Sequence, residues 1–174
     1  AGVDVALLEA HRVGFGASGR NGGQVGSGQR LGQAALERMM GRADARALWQ
    51  MGEEAKALVQ ALIARHAIAC DYRPGVVHAS WSHADAAEAR AEAAHLARDY
   101  GYTQIEPLDQ AGIAALVGAP VYKGGAVDWG AGHLNPLAYA LGLARAADAA
   151  GARIYERAEV ADISPGGAGS FTLQ

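Results

Sequence analysis

The residues best placed to do chemistry lie at the start of the chain. Val5–Leu8 is a short apolar run that closes on a carboxylate, Glu9. A glycine-studded stretch follows from Gly14 to Gln24, reading GFGASGRNGGQ. In dinucleotide-binding α/β units a carboxylate at a strand end accepts hydrogen bonds from ribose hydroxyls. Small residues let backbone amides approach an anion closely, and a nearby arginine adds a permanent positive charge. The glycine fingerprint that cradles a pyrophosphate is expected about 20 residues before such a carboxylate. That span would precede Ala1, so the chain is expected to be a piece of a longer protein, cut after its phosphate loop.

Several elements must position these residues. Val3–Leu8 is nearly continuous in apolar character, as in a parallel strand buried on both faces. Residues 11–33 hold too many glycines for regular structure, and a long irregular loop of this kind is usually functional or disordered. The spacing predicts helix over 34–66, broken at Gly41, with Leu48, Met51, Ala55, Leu58, Val59, Leu62 and Ile63 on one buried face. Met39, Met40 and Met51 are expected to pack in the core. A strand is expected at 76–81, then a helix at 84–99 capped by Ser82 or Asp85 and ended by Gly101. A short strand at 102–106 and a short helix at 109–117 follow. Val121–Trp129 reads as a strand interrupted by Gly124 and Gly125. Asn135 and Pro136 open a helix that stops at Gly151. Residues 152–163 read as a strand, and Pro165–Gly167 as a turn before a returning strand at 170–174. This alternation predicts an α/β protein.

Composition narrows the partners. The net charge is -3, with no basic footprint for nucleic acid. No apolar run reaches the ~20 residues of a membrane span. The first apolar run is short and carries Asp4 and Glu9, unlike a signal peptide, so the cytoplasm is the expected compartment. Cys70 is the only cysteine, which excludes an intrachain disulfide and favours a buried small hydrophobe. His11, His66, His78, His83 and His95 show no zinc-site spacing with partner carboxylates, so no metal is expected. His133, just before a helix start, can line a pocket or pack.

Leu8-Glu9-Ala10 with Gly16–Gln24 strongly resembles the D-amino-acid-oxidase-like family of FAD-dependent oxidoreductases, and within it the gamma-glutamylputrescine oxidoreductase branch. A second matching block runs from Gly124 to Asp128 and from Gly132 to Pro136, then through the helix to Ala150. The resemblance implies a partial FAD/NAD(P)-binding, Rossmann-like domain with part of an inserted α+β substrate domain. It divides the chain into 1–69 and 130–174, two segments of the FAD domain, and 70–129, part of the substrate domain. It implies that Glu9 meets the adenosine ribose, that Ala10 beside it belongs to the cofactor-binding set, and that Ala17, Ser18, Gly19 and Arg20 lie at the pyrophosphate. Gly22, Gly23 and Gln24 would neighbour the flavin ring, and the backbone of Val160 would meet the adenine. Each has a plainer alternative: a solvated strand-end carboxylate, a surface arginine, a buried strand valine. Asn21 serves as a turn residue.

The implied activity is oxidation of a small-molecule amine by hydride transfer to non-covalent FAD. Arg20 stands where related flavoproteins carry a flavin-linking histidine. No catalytic residue is assigned, because family enzymes draw many substrate contacts from a C-terminal half expected to lie beyond Gln174. A chain so divided is expected to bind FAD weakly at most and to self-associate through the surfaces left bare. Two other readings stay open: a non-catalytic module, and a NAD-linked dehydrogenase, whose ribose Glu9 would also suit.

Overall fold

The computed structural model describes residues 3–167 and 170–173. The architecture is mixed α/β, as the alternation predicts, and falls into two compact units.

The first unit takes in the described residues of Ala1–Gly22, Leu62–Cys70 and Asn135–Gln174. Its sheet is a parallel pair, β1 (Ala6–Glu9) beside β6 (Arg153–Glu156), in register from Ala6↔Arg153 to Glu9↔Glu156. Helix α5 (Pro136–Ala149) feeds β6. It starts as its sequence predicts: the Asn135 side chain accepts from the Ala138 amide at 3.0 Å, and Pro136 occupies the first turn, where its missing N–H costs nothing. Ile68 and Cys70 are buried, and Gly142 of α5 lies so close to Ile68 that a Cβ would collide with it. A small antiparallel pair, β7 (Ile163–Pro165) with β8 (Phe171–Leu173), supplies the returning strand; Gln174 lies outside the described residues.

Two expectations fail in this unit. The strand anticipated over 152–163 ends at Glu156, because Arg157 turns into the left-handed region at φ 58. Nor is β1 buried on both faces. Leu7 and Leu8 remain 46% and 39% exposed, because β6 is its only strand partner among the described residues.

The second unit holds Gly23–Ala61 and Asp71–Leu134. Its centre is β5 (Gly124–His133). Strand β3 (Arg73–Ser80) runs antiparallel along one side, with a bulge between Pro74 and Val76. On the other side lie β4 (Ile105–Leu108) and the short β2 (Gln24–Val25). Strand β5 therefore starts at the glycines expected to interrupt it, without residues 121–123, and continues past Trp129 through Gly130 and Gly132 to His133. Its glycines mark close approaches instead. A Cβ on Gly125 would strike the His78 carbonyl, and one on Gly130 the Tyr102 hydroxyl.

Helix α1 (Gln33–Met40) and helix α2 (Arg42–Arg65) break at Gly41, φ 87, as expected. The buried face of α2 differs from the predicted one. It is Ala45, Trp49 and Lys56, whereas Met51 and Leu58 are largely exposed, as are Met39 and Met40 of the expected methionine core. Their partners lie there: Tyr100 and Tyr102 for the Trp49 ring, and Ser27, Glu53 and Tyr102 for the Lys56 ammonium. Trp49 packs edge-on against Tyr102, with centroids 5.2 Å apart, and against Leu96 of α3 (His83–Tyr100). Helix α3 begins with a capping box, Ser82 and Asp85 each bonding the other's backbone at 3.1 Å. It ends at Gly101 in the left-handed conformation. Helix α4 (Gln110–Val117) is capped by Asp109.

A charged cluster ties α1 to α3. His95 sits between Asp99, 2.7 Å from Nδ1, and Glu37, 3.2 Å from Nε2. The Tyr100 hydroxyl donates to Glu37 at 2.6 Å, which with His95 and Arg42 holds that carboxyl below its ordinary range. Arg98, bonded to Asp99 at 2.7 Å, does the same for Asp99.

Candidate cofactor site

Glu9 ends β1 in the first unit, half-buried, with Oε1 accepting from the His11 amide at 2.9 Å. Among the described residues Oε2 takes no hydrogen bond, so one carboxylate oxygen is available to a ligand hydroxyl. Directly across the pair, Glu156 accepts from the Val13 amide at 2.9 Å and fixes the chain that leaves β1.

That chain reaches a single 3-10 turn, Ala17–Gly19. The turn uses the Gly19 and Arg20 amides internally, toward Gly16 and Ala17. The amides of Ala17 and Ser18 keep no partner among the described residues, as at the start of any helical turn. Asn21 clamps the turn from behind, its amide donating to the Ala17 and Ser18 carbonyls at 2.9 and 3.3 Å. The turn packs against α5 at the closest range glycine permits. A Cβ on Gly19 would drive into the Gly14 carbonyl and Leu137, and Gly14 itself stands at φ 79.

Two cavities open here, both within the first unit. One, of about 520 Å³, is lined by Glu9 and Ser18 together with Leu7, Ile154 and the Ala140–Ala144 side of α5. Its wall includes Tyr139, whose phenol is pushed up by burial and then by nearby Cys70. The other, a shallower depression, is lined by Gly19, Arg20, Arg12, Arg157 and Glu156. The Arg20 guanidinium lies over the Phe15 ring, 4.2 Å from its centroid, and Phe15 stacks on His11. Three arginines against one carboxylate give this depression a positive potential suited to phosphate.

The structure thus places Glu9 with Ser18, and Gly19 with Arg20. Ala10, Ala17 and Gly22 are exposed beside them. Val160 lies past the end of β6 in irregular chain, 37% exposed, and lines neither cavity. Gly23 and Gln24 belong to the second unit. There Gly23 is buried, with its carbonyl accepting from Leu134 at 3.0 Å, and Gln24 pairs with His133 in the sheet. Sequence reasoning missed Arg12 and Arg157. The reading of 152–163 as one strand concealed Arg157; only its turn out of β6 brings it to the depression.

Solved structures with this arrangement define the class by fold. Glycine oxidase from Geobacillus kaustophilus superposes with a TM-score of 0.72 at 24% identity, over 98% of this chain and 44% of that one. L-amino acid deaminase from Proteus myxofaciens, in complex with anthranilate, gives 0.72 at 21%, over 95% and 35%. The fold is that of these mixed α/β enzymes. The family model described as FAD dependent oxidoreductase (DAO) matches residues 1–173, and the chain belongs to that family. Among curated relatives, a probable oxidoreductase OrdL of Rhizobium meliloti is 36% identical over 95% of this chain and 39% of its own length. Gamma-glutamylputrescine oxidoreductase of Escherichia coli is 38% identical over 94% of this chain and 38% of its own. The chain therefore spans about two-fifths of the curated relatives it matches.

Among the described residues no helix is long and apolar enough to cross a membrane, and no group of three or more His, Cys, Asp or Glu side chains is arranged to hold a metal ion.

Proposed function

We propose that this chain supplies the adenosine and pyrophosphate end of a non-covalent FAD site in an amine-oxidising enzyme. The observation that carries the reading is the pairing of Glu9 and Ser18 in one cavity at the end of a parallel strand. The residues fit the group. Glu9 Oε2 is an acceptor for ribose hydroxyls, and Ser18 with the Ala17 and Ser18 amides offers donors to a phosphate. Arg20, Arg12 and Arg157 supply the balancing charge. The backbone of Gly22, Gly23 and Gln24 is the candidate for the flavin end, and that of Val160 for the adenine.

Bound FAD would accept a hydride from the carbon next to the substrate nitrogen, chemistry that belongs to the cofactor. The chain's own residues bind and orient. Gly14 and Gly19 let the turn seat on α5, Asn21 holds it, and the half-buried carboxylate of Glu9 fixes the ribose. No residue here is assigned to the reacting carbon. The proposed substrate is a small amine of the gamma-glutamylputrescine or amino-acid kind. The identity to the Escherichia coli enzyme and the fold shared with glycine oxidase support that choice.

The test is titration of the chain with FAD, followed by flavin fluorescence anisotropy with ADP as competitor. Weak binding that ADP displaces is expected, reduced about tenfold or more in Glu9→Ala and in Arg20→Ala. FAD that binds Glu9→Ala as well as the parent, or that ADP cannot displace, overturns the assignment.

A further inference from the structure

Strand β2 has only two residues, Gln24 and Val25, paired with His133 and Gly132 of β5. So short a strand is held weakly by its ladder alone. The chain beyond it has little to grip with. Ser27 stands between Gly26 and Gly28, the latter at φ 77, and glycines leave the backbone free. Ser27 is therefore the side chain that anchors this segment. Its hydroxyl donates to the Tyr102 hydroxyl at 3.1 Å and accepts from the Lys56 ammonium at 2.6 Å.

Lys56 is 8% exposed. A lysine this buried is rare, and it persists where its charge is paired and its protons are bonded. The ammonium meets that condition. Besides Ser27 it donates to Glu53, one turn back on α2, at 3.0 Å and to the Tyr102 hydroxyl at 3.3 Å, which places all three protons. Tyr102 carries the connection on to β5. Its hydroxyl donates to Asp128 Oδ1 at 2.6 Å, and that oxygen also accepts from the Gly130 and Ala131 amides at 3.0 and 3.2 Å. Gly132, the next residue, is the partner of Val25. The circuit closes within the second unit: β2 is tied to β5 directly by its backbone and again through Ser27, Tyr102 and Asp128. Asp128 has its donors without the lysine, and Glu53 lies on the lysine's own helix. Ser27 is the partner whose remaining lone pair the ammonium fills, and through which α2 reaches β2.

We propose that Lys56 is a positioning residue for the flavin end of the cofactor site: its ammonium fixes Ser27, and Ser27 fixes Gln24 and Val25 on β5. The proposal rests on the reading that assigns the backbone of Gly23 and Gln24 to the flavin. Lys56 acts through Ser27 and not on the cofactor itself.

Three variants of the complete chain test this. Lys56→Met keeps the apolar stem and removes the ammonium. Ser27→Ala keeps the lysine and removes the link. Ser27→Thr keeps the hydroxyl. Amide exchange without flavin is expected to rise about tenfold or more at residues 24–28 in Lys56→Met and Ser27→Ala, and to stay near parental in Ser27→Thr. The affinities for FAD and ADP are then compared. ADP lacks the flavin ring, so the ratio of the two reports the flavin end. In Lys56→Met and Ser27→Ala the preference for FAD is expected to fall severalfold with ADP affinity unchanged, and in Ser27→Thr to return. Parental exchange at 24–28 in both Lys56→Met and Ser27→Ala overturns the proposal, whether or not FAD binds. So does raised exchange with an unchanged ratio, which would make the network a structural anchor only. A parent chain that binds FAD no better than ADP removes the flavin reading of Gly23 and Gln24, and the proposal falls with it.

Discussion

The two units solve their folding problem in different ways. The second buries most of the apolar core, with Trp49, Leu96, Ile113, Val127 and Leu134 among its members. The first buries Ile68 and Cys70, leaves Leu7, Leu8 and Tyr155 half exposed, and keeps an open cavity at its strand ends. Core-rich packing fixes side chains; a core-poor strand pair with a glycine turn leaves backbone amides and one carboxylate free for a ligand. A binding surface of the second kind is legible in residue types. A buried polar network is not.

The sharpest way to break this contrast is Trp49→Ala. Removing the largest ring of the core is expected to cost about 3–5 kcal/mol in urea unfolding. Amide exchange should accelerate across β3 and β5 and much less across β1 and β6. Equal acceleration in both sheets would show one cooperative block and end the comparison.

Tyr102→Phe probes the polar part of the same core. The hydroxyl serves Asp128, Ser27 and Lys56 at once, so its loss is expected to cost about 1–3 kcal/mol. Burial, then the bond to Asp128, pushes the Tyr102 phenol well up. A raised value gives stability that is complete below the ordinary tyrosine range and lost as pH rises through the folded value. Alkaline unfolding of the parent, read by circular dichroism, should therefore begin above that ordinary range, and the Phe variant should lack this component.

Gly19→Ala addresses the first unit. The added methyl meets the Gly14 carbonyl and Leu137, an overpacking worth about 1–3 kcal/mol locally. ADP affinity should fall while exchange in β3 and β5 stays parental. A variant that keeps full ADP affinity would detach the turn from the ligand.

The smallest effect expected is acid sensitivity of the second unit. Glu37 is held low first by the Tyr100 hydroxyl, and Asp99 first by Arg98. Depressed carboxyls give stability that is present above their ordinary range and lost as pH falls through the folded values. The urea midpoint should drop only below that range, and Glu37→Gln should flatten the drop. A flat midpoint in the parent would remove the cluster from the account.

Legibility followed the range of the forces. The Ser82 and Asn135 caps, the Gly41 break and the Gly101 stop were readable, because each acts within one helical turn. So was the grouping of Glu9 with the 16–20 stretch, a local sequence of strand end and turn. The course of β5 through its glycines was not, since what fills the space beside Gly125 and Gly130 comes from His78 and Tyr102, remote in sequence. The burial of Lys56 was not legible either, because nothing near it announces Ser27, 29 residues away, or Tyr102, 46 away.

By itself, then, the sequence determined the α/β class, the helix boundaries, the family resemblance and the candidate ribose carboxylate, all properties carried by residue type and short spacing. Only the tertiary structure decided where the core lies, that Arg12 and Arg157 join Arg20, and that Lys56 is buried among Ser27, Glu53 and Tyr102. Those depend on which distant groups occupy the same space, and long-range burial, unlike local hydrogen bonding, leaves no periodic mark in the chain.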